Sequence, residues 1–147
     1  MSAERAHGRE RAYLSHTTWV EDHAEIMARY LFAGGFATGR RVLDAAIGTG
    51  YGAATLSALG ASFVHGIDKD AKAVSEAITR YSTPTISFAV DDCERLDTLR
   101  SPVDVVCSFE TIEHLDNPEA FLAAVVRVLA PGGVFLCSTP DRSTTPA

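Results

Sequence analysis

Asp44 stands four residues ahead of Gly48, and Gly48, Gly50 and Gly52 occupy alternate positions in the stretch VLDAAIGTGYGAATL, Val42 to Leu56. An acid followed by such a loop is binding chemistry. The carboxylate accepts hydrogen bonds or pairs with a cation, and the glycines remove side chains where backbone must approach a ligand closely. Further acids close short apolar runs: Asp68, with Lys69 beside it, ends SFVHGID; Asp91 and Asp92, then Cys93, follow ISFAV; Ser108, Phe109 and Glu110 follow VDVVC. Acids converging on one crevice repel a pyrophosphate, but they suit a ligand carrying hydroxyls, an amine and a positive centre. The expected ligand is a nucleoside with a cationic tail. A nicotinamide-dependent oxidoreductase is the remote alternative, because the glycines fall at positions one, three and five rather than one, three and six.

Proton transfer has one natural place. The segment SFETIEHLDNP leaves the fourth apolar run and contains Glu110, Glu113 and His114. His114 is the candidate general base, since an unperturbed imidazole titrates near neutrality; the plainer alternative is a histidine that organises the loop or contacts Glu110 or Glu113. His16 and His23 are placed to lie over the pocket from the leading segment, and His65, inside an apolar run, is expected in the core. Cys93, Cys107 and Cys137 are far apart and odd in number, so they read as reduced and structural. No Cys or His pair has metal-ligand spacing, and no metal is expected.

These residues need elements to position them. Five β-branched apolar runs, RRVLDAA, SFVHGID, ISFAVDD, VDVVCSF and GVFLCSTP, read as strands buried on both faces. Helical patterns separate them. YGAATLSALG closes on Gly60, DAKAVSEAITRY opens on Asp70 as N-cap, and NPEAFLAAVVRVLAPGG has Asn117 as cap, Pro118 in its first turn and a Pro-Gly-Gly stop. The alternation predicts an α/β fold, a doubly wound, mostly parallel sheet with its ligand beyond the carboxyl ends of the strands. Ahead of the first strand, Trp19, His23, Ile26, Met27, Tyr30 and Leu31 recur at helical spacing and predict a leading helix over 19–33. Residues 1–18 are expected to form a flexible lead-in, and 40–141 the core, of a single domain spanning 1–147.

Composition narrows the class. The chain has 147 residues, 46% hydrophobic and 22% charged, with a formal net charge of -6. That length buries a core without disulfides, and the acidic balance, with no concentrated Lys/Arg face, argues against nucleic acid as a partner. No apolar run approaches the roughly 18 to 20 residues of a membrane span, and the start lacks an apolar signal core, so no membrane partner and a cytoplasmic location are expected.

Four of these segments, in this order, resemble the class I S-adenosylmethionine-dependent methyltransferases, small-molecule enzymes of the ubiquinone-biosynthesis and glycan-cluster types. VLDAAIGTGYG is similar to that family's first motif, GIDKD to the acidic end of its second strand, VDDCERL to the segment after its third, and DVVCSFETIEHLDNPEAFLAAVVRVLAPGGVFLCSTP to its fourth strand, helix and fifth strand. The resemblance runs from about Arg40 to Asp141. It implies a Rossmann-like sheet in the order 3-2-1-4-5, S-adenosylmethionine as cofactor, S-adenosylhomocysteine as product, and methyl transfer to a small-molecule acceptor. By the same resemblance, Asp44, Ala46 and the backbone at Gly48 and Gly50 hold the methionine moiety. Asp68 bonds the ribose hydroxyls with Lys69 beside it, Asp92 takes the adenine amino group, Cys93 donates its amide, and Phe109 lines the pocket. Helix capping is the competing role for Asp68 and the expected one for Asp70; for Asp44 it is that of a satisfied loop acid. Asp91 replaces a frequent glycine of the family and leaves open which of the two acids takes adenine, and Ile47 replaces a frequent cysteine. The text stops where the family adds two further strands. That predicts either a shortened form, down to a cofactor-binding fragment or pseudoenzyme without catalysis, or a homodimer covering the fifth-strand edge.

Overall fold

The computed structural model describes residues 16–141 and residue 143. Helix α1 (His16–Ala37) leads into β1 (Arg41–Ala45), α2 (Tyr51–Ala58), β2 (Phe63–Asp68), α3 (Ala71–Tyr81), β3 (Ile86–Val90) and β4 (Val103–Phe109). A short 3-10 turn (Ile112–His114), α4 (Pro118–Val128) and β5 (Leu129–Ser138) complete it. The sheet order is β3-β2-β1-β4-β5, with every pairing parallel, as the resemblance implies.

Alternation within the strands builds two cores. Val42, Val64, Val105 and Cys107 face α1, α2 and α3 in one cluster, while Leu43, Ile67, Val106 and Phe121 belong to the other, against α4. Val103 and Val105, two residues apart, nonetheless face opposite clusters. A register shift in the β4–β5 pairing explains this: Val103 pairs with Leu129 but Val105 with Val134. The expected Pro-Gly-Gly stop is therefore a bulge inside β5, where Gly132 has φ +77° and a Cβ at Gly133 would come within 2.9 Å of the Ala130 carbonyl oxygen.

Caps fall where the sequence puts them. The Asp70 carboxylate accepts from Lys72 N–H at 2.9 Å, and the Asn117 side chain accepts from Ala120 N–H at 3.0 Å. Gly60 ends α2 with φ +104°. The leading helix differs from its expected bounds of 19–33: it begins at His16 and passes through Gly34 and Gly35 to Ala37. Gly34 does not stop it because the missing side chain is used for packing, a Cβ there overlapping Leu59, and because Ala33 and Ala37 are fully buried on the same face. The expected lead-in at 1–18 lies, for residues 1–15, outside the described residues. His65 is in the core as expected, whereas Cys137 is exposed, since β5 is the outer strand of the described sheet. Among the described residues no helix is long and apolar enough to cross a membrane.

Phe121 is fully buried and meets Phe135 edge-on at 5.8 Å between ring centroids. Replacing it with alanine is expected to remove about 3–5 kcal/mol of stability, read as a lower urea midpoint at unchanged slope.

Candidate functional site

The carboxyl ends of β1 to β4 open onto one crevice, floored by the turn that follows β1. Ala46 (φ 64°), Gly48 (φ 55°) and Gly50 (φ 86°) all take left-handed backbone there, and Ile47 N–H donates to the Ile67 carbonyl at 3.0 Å, tying the turn to β2. A non-glycine residue held in this region stores about 1–3 kcal/mol of strain, and Glu110 (φ 54°), just past β4, does the same. Two of the three left-handed non-glycine residues among the described residues thus stand at strand ends by the crevice; the third, Leu96 (φ 53°), is buried in the loop after β3.

The three glycines have different tasks, which corrects the reading that all of them clear space for a ligand. At Gly48 an added Cβ would meet nothing within 4 Å, so its open side is available to a ligand. At Gly50 a Cβ would lie 2.7 Å from the Ala77 Cβ on α3, and at Gly52 it would fall inside the Tyr30 ring. Protein fills those two sites. Ile47 fits for a similar reason, since the position opposite is Gly66, where a Cβ would lie 2.7 Å from the Ile47 Cγ2.

Asp44 is sealed. Its side chain is 0% exposed, and its partner is the Tyr30 hydroxyl, which donates to Oδ1 at 2.9 Å and Oδ2 at 3.1 Å. Burial pushes its carboxyl up to about 7; the Tyr30 hydrogen bond opposes this and the Asp68 charge adds to it. The phenol of Tyr30 is in turn raised by burial and by Asp44, so it stays a neutral donor. Among the described residues no ion pair reaches Asp44. A buried acid without a cation fits a ligand that brings one.

The next two strand ends divide their carboxylates between loop and crevice. Asp68 accepts from Gly48 N–H at 3.1 Å through one oxygen and from Asp70 N–H at 2.9 Å through the other, so it joins β2 to the glycine turn. Asp91 accepts from the backbone of Asp92, Asp97 and Thr98 and from the Thr98 hydroxyl. Partial burial alone would raise its carboxyl, but these hydrogen bonds outweigh it and hold the group below its ordinary value. The Thr98 hydroxyl also meets His65 Nε2 at 3.0 Å, and burial, opposed by the Asp91 charge, lowers that imidazole. Asp92 keeps more freedom, with one backbone donor, Glu94 N–H at 2.9 Å, and Lys69 Nζ at 3.4 Å. Cys93 is buried, and burial first, then the Asp68, Asp92 and Asp91 charges, push its thiol up to about 12. It is not a nucleophile.

Phe109 ends β4 and packs edge-on against Tyr30 at 5.0 Å between centroids. Beyond it, Glu110 Oε1 pairs with Arg29 Nη2 at 3.0 Å and accepts from the Ser138 hydroxyl at 3.0 Å. His114 lies in the 3-10 turn, its side chain 70% exposed and its Nε2 3.6 Å from Glu113 Oε1. His23 packs on Tyr51 at 4.6 Å between rings, while the His16 side chain lies outside the described residues. An open cavity of about 460 Å³ adjoins Phe109 and is lined further by Phe32, Phe135 and Leu136, with Arg29 and Ser138 as polar members.

Residues 43–137 match the family described as "Methyltransferase domain", and that span takes in all of these strand ends. The chain belongs to this methyltransferase domain family. A Mycolicibacterium smegmatis protein named "Probable S-adenosylmethionine-dependent methyltransferase" is 37% identical over 126 residues, 86% of this chain and 47% of that protein. The mitochondrial ubiquinone biosynthesis O-methyltransferase of Dictyostelium discoideum is 30% identical over 71% of this chain and 36% of its own. The chain thus spans less than half the length of these curated relatives. An S-adenosylmethionine-dependent methyltransferase from Mesorhizobium loti matches in structure with a TM-score of 0.66 at 25% identity, over 71% of this chain and 48% of that one.

In this methyltransferase domain the structure brings Asp44, Ala46, Gly48, Asp68, Lys69, Asp92 and Phe109 to the strand ends. It buries Cys93 beside them and leaves Gly50 with its open face against α3. Tyr30 was legible only as a helix-face residue. Its signal was a hydroxyl in an otherwise apolar stripe, which demands a buried partner.

Because the folded domain holds a proton on Asp44 that the unfolded chain releases near 3.8, stability contributed by that proton is present at acid pH and lost as pH rises towards about 7. Asp44→Asn is therefore expected to raise the thermal midpoint relative to the unsubstituted chain more at pH 8 than at pH 5, read by scanning calorimetry. An equal shift at both values would show that Asp44 does not titrate in that window.

Proposed function

We propose that this chain binds S-adenosylmethionine in the crevice beyond β1 to β4 and transfers its methyl group to a small-molecule acceptor. The observation that carries this is Asp44, an acid fully buried at the end of the central strand with a phenol, not a cation, as its partner. A ligand amine supplies the missing charge. In this reading Asp44, Ala46 and the turn at Gly48 and Gly50 receive the amino-acid end, Asp68 the ribose hydroxyls, and Phe109 the wall beside the reacting carbon. Asp92, rather than Asp91, receives the adenine amino group, because four hydrogen bonds from Asp92, Asp97 and Thr98 already engage Asp91. Lys69 and the Cys93 amide stand next to it.

When bound, the cofactor supplies a methyl group on a cationic sulfur, open to in-line displacement. The chain's own contribution is orientation and exclusion of water, worth several orders of magnitude when the reacting atoms are held in line. Phe109 ends β4 at the crevice and also lines the cavity, so it stands between the two. The cavity, with Phe32, Phe135 and Leu136 as its apolar lining, suits an acceptor with an apolar body. Where the acceptor must lose a proton, His114 is the proposed base; it is exposed, with its Nε2 3.6 Å from Glu113 Oε1. The proposed homodimer would cover the outer edge of β5, which pairs with no strand among the described residues. A monomeric mass in sedimentation at micromolar concentration overturns the dimer alone.

Titration calorimetry with S-adenosylhomocysteine, with NAD as control, tests the cofactor. Saturable binding of the first and not the second is expected, and Asp68→Ala should weaken it about 10- to 100-fold, the range for hydrogen bonds to a charged group. Binding without turnover on any acceptor would favour a cofactor-binding domain without catalysis, and no binding would remove the cofactor reading.

A further inference from the structure

Tyr30 comes to the crevice from α1, outside both the glycine turn and the strand ends. Its ring is fixed on several sides: Phe109 meets it edge-on at 5.0 Å, Tyr51 at 6.0 Å, and Gly52 leaves the space the ring fills. Packing of α1 therefore dictates where the hydroxyl stands. Asp44 has no exposed alternative, being 0% accessible.

We propose that Tyr30 is a positioning residue for the amino-acid end of the cofactor, holding both oxygens of Asp44 so that the carboxylate meets the ligand ammonium from a fixed direction. The inference rests on the cofactor reading above. A carboxylate has about four lone-pair sites, and a hydroxyl shared between its two oxygens leaves acceptor capacity on each. The ionisable groups facing Asp44 are Tyr30 on α1, Tyr51 on α2, Asp68 on β2 and Cys107 on β4. None of these is a cation, and Asp68 repels the ionised form. The ligand ammonium is then the charge that lets Asp44 ionise fully, with the Tyr30 hydroxyl already in place to stabilise it. Without that hydroxyl the acid faces only an aromatic ring, keeps its proton to higher pH, and accepts the ammonium less well.

The intact chain, Tyr30→Phe, Asp44→Asn and the double variant are titrated with S-adenosylhomocysteine between about pH 6 and pH 9, with thermal midpoints confirming that each is folded. Affinity of the unsubstituted chain should rise with pH through about 7 and then level off, as Asp44 deprotonates. Tyr30→Phe should weaken binding about 10- to 100-fold at neutral pH and move that rise to higher pH. In the Asp44→Asn background the same substitution should have little further effect, because Tyr30 acts through Asp44. Coincident affinities and pH profiles for the unsubstituted chain and Tyr30→Phe, or an undiminished loss in the Asp44→Asn background, overturn the proposal and leave the cofactor reading standing. Absence of binding by the unsubstituted chain overturns both.

Discussion

An acid at the end of the central strand, shut away from water, is the constraint from which much of this structure follows. β1 has β2 on one side and β4 on the other, and helices cover both faces, so no solvent reaches the Asp44 carboxylate. A buried carboxylate needs a donor or it stays protonated. Tyr30 supplies it, and that requires α1 to cross the sheet face closely enough to place a ring beside the glycine turn. Gly52 is glycine for that ring, and Phe109 turns its edge to it. The leading helix, the first turn and the fourth strand end are thus coupled through one phenol.

Stability and binding pull against each other at this point. A neutral residue would sit more comfortably at position 44 above neutrality, because burial disfavours the ionised carboxyl there. In the proposed function, a ligand cation outside the chain rewards that charge. Strain is stored at the left-handed Ala46 and Glu110, where ordinary loops would relax. Leu96, the third such residue, lies instead in the loop after β3 with its side chain in the core, where packing holds the strained backbone.

Local signals made the strands and caps legible, and the family resemblance supplied the sheet order. Val42 to Ala45 and Val103 to Phe109 are largely buried on both faces because helices cover both, and Asp70 and Asn117 cap because their side chains reach backbone N–H groups two or three residues on. Features set by distant contacts were not legible. Gly34 reads as a helix stop until Leu59 is seen against it; Gly50 and Gly52 read as ligand-facing until Ala77 and Tyr30 are seen to fill them. The bulge in β5 depends on register with β4, which Pro-Gly-Gly alone does not specify. Tyr30 sits fourteen residues from Asp44 in sequence, and no periodicity links a helix hydroxyl to a strand-end acid.

Counting lone pairs separates the acids of the crevice better than counting charges does. Asp91 receives four hydrogen bonds and a link through Thr98 to His65, so its oxygens are occupied in closing the loop from Asp92 to Thr98. Asp68 receives one backbone donor on each oxygen, enough to lock its orientation while leaving each oxygen a second acceptor site. Asp92 has one oxygen on Glu94 N–H and the other near a largely exposed lysine, a weak and displaceable partner. Asp44 shares one hydroxyl between its two oxygens. Asp68 and Asp92 therefore keep accepting capacity on the crevice side, Asp44 keeps it under the turn, out of reach of water, and Asp91 keeps none, although in sequence Asp91 and Asp92 are neighbours of identical type. An acid saturated by its own loop builds the site; an acid held by one or two donors is oriented and still open, which is the condition a binding group has to meet.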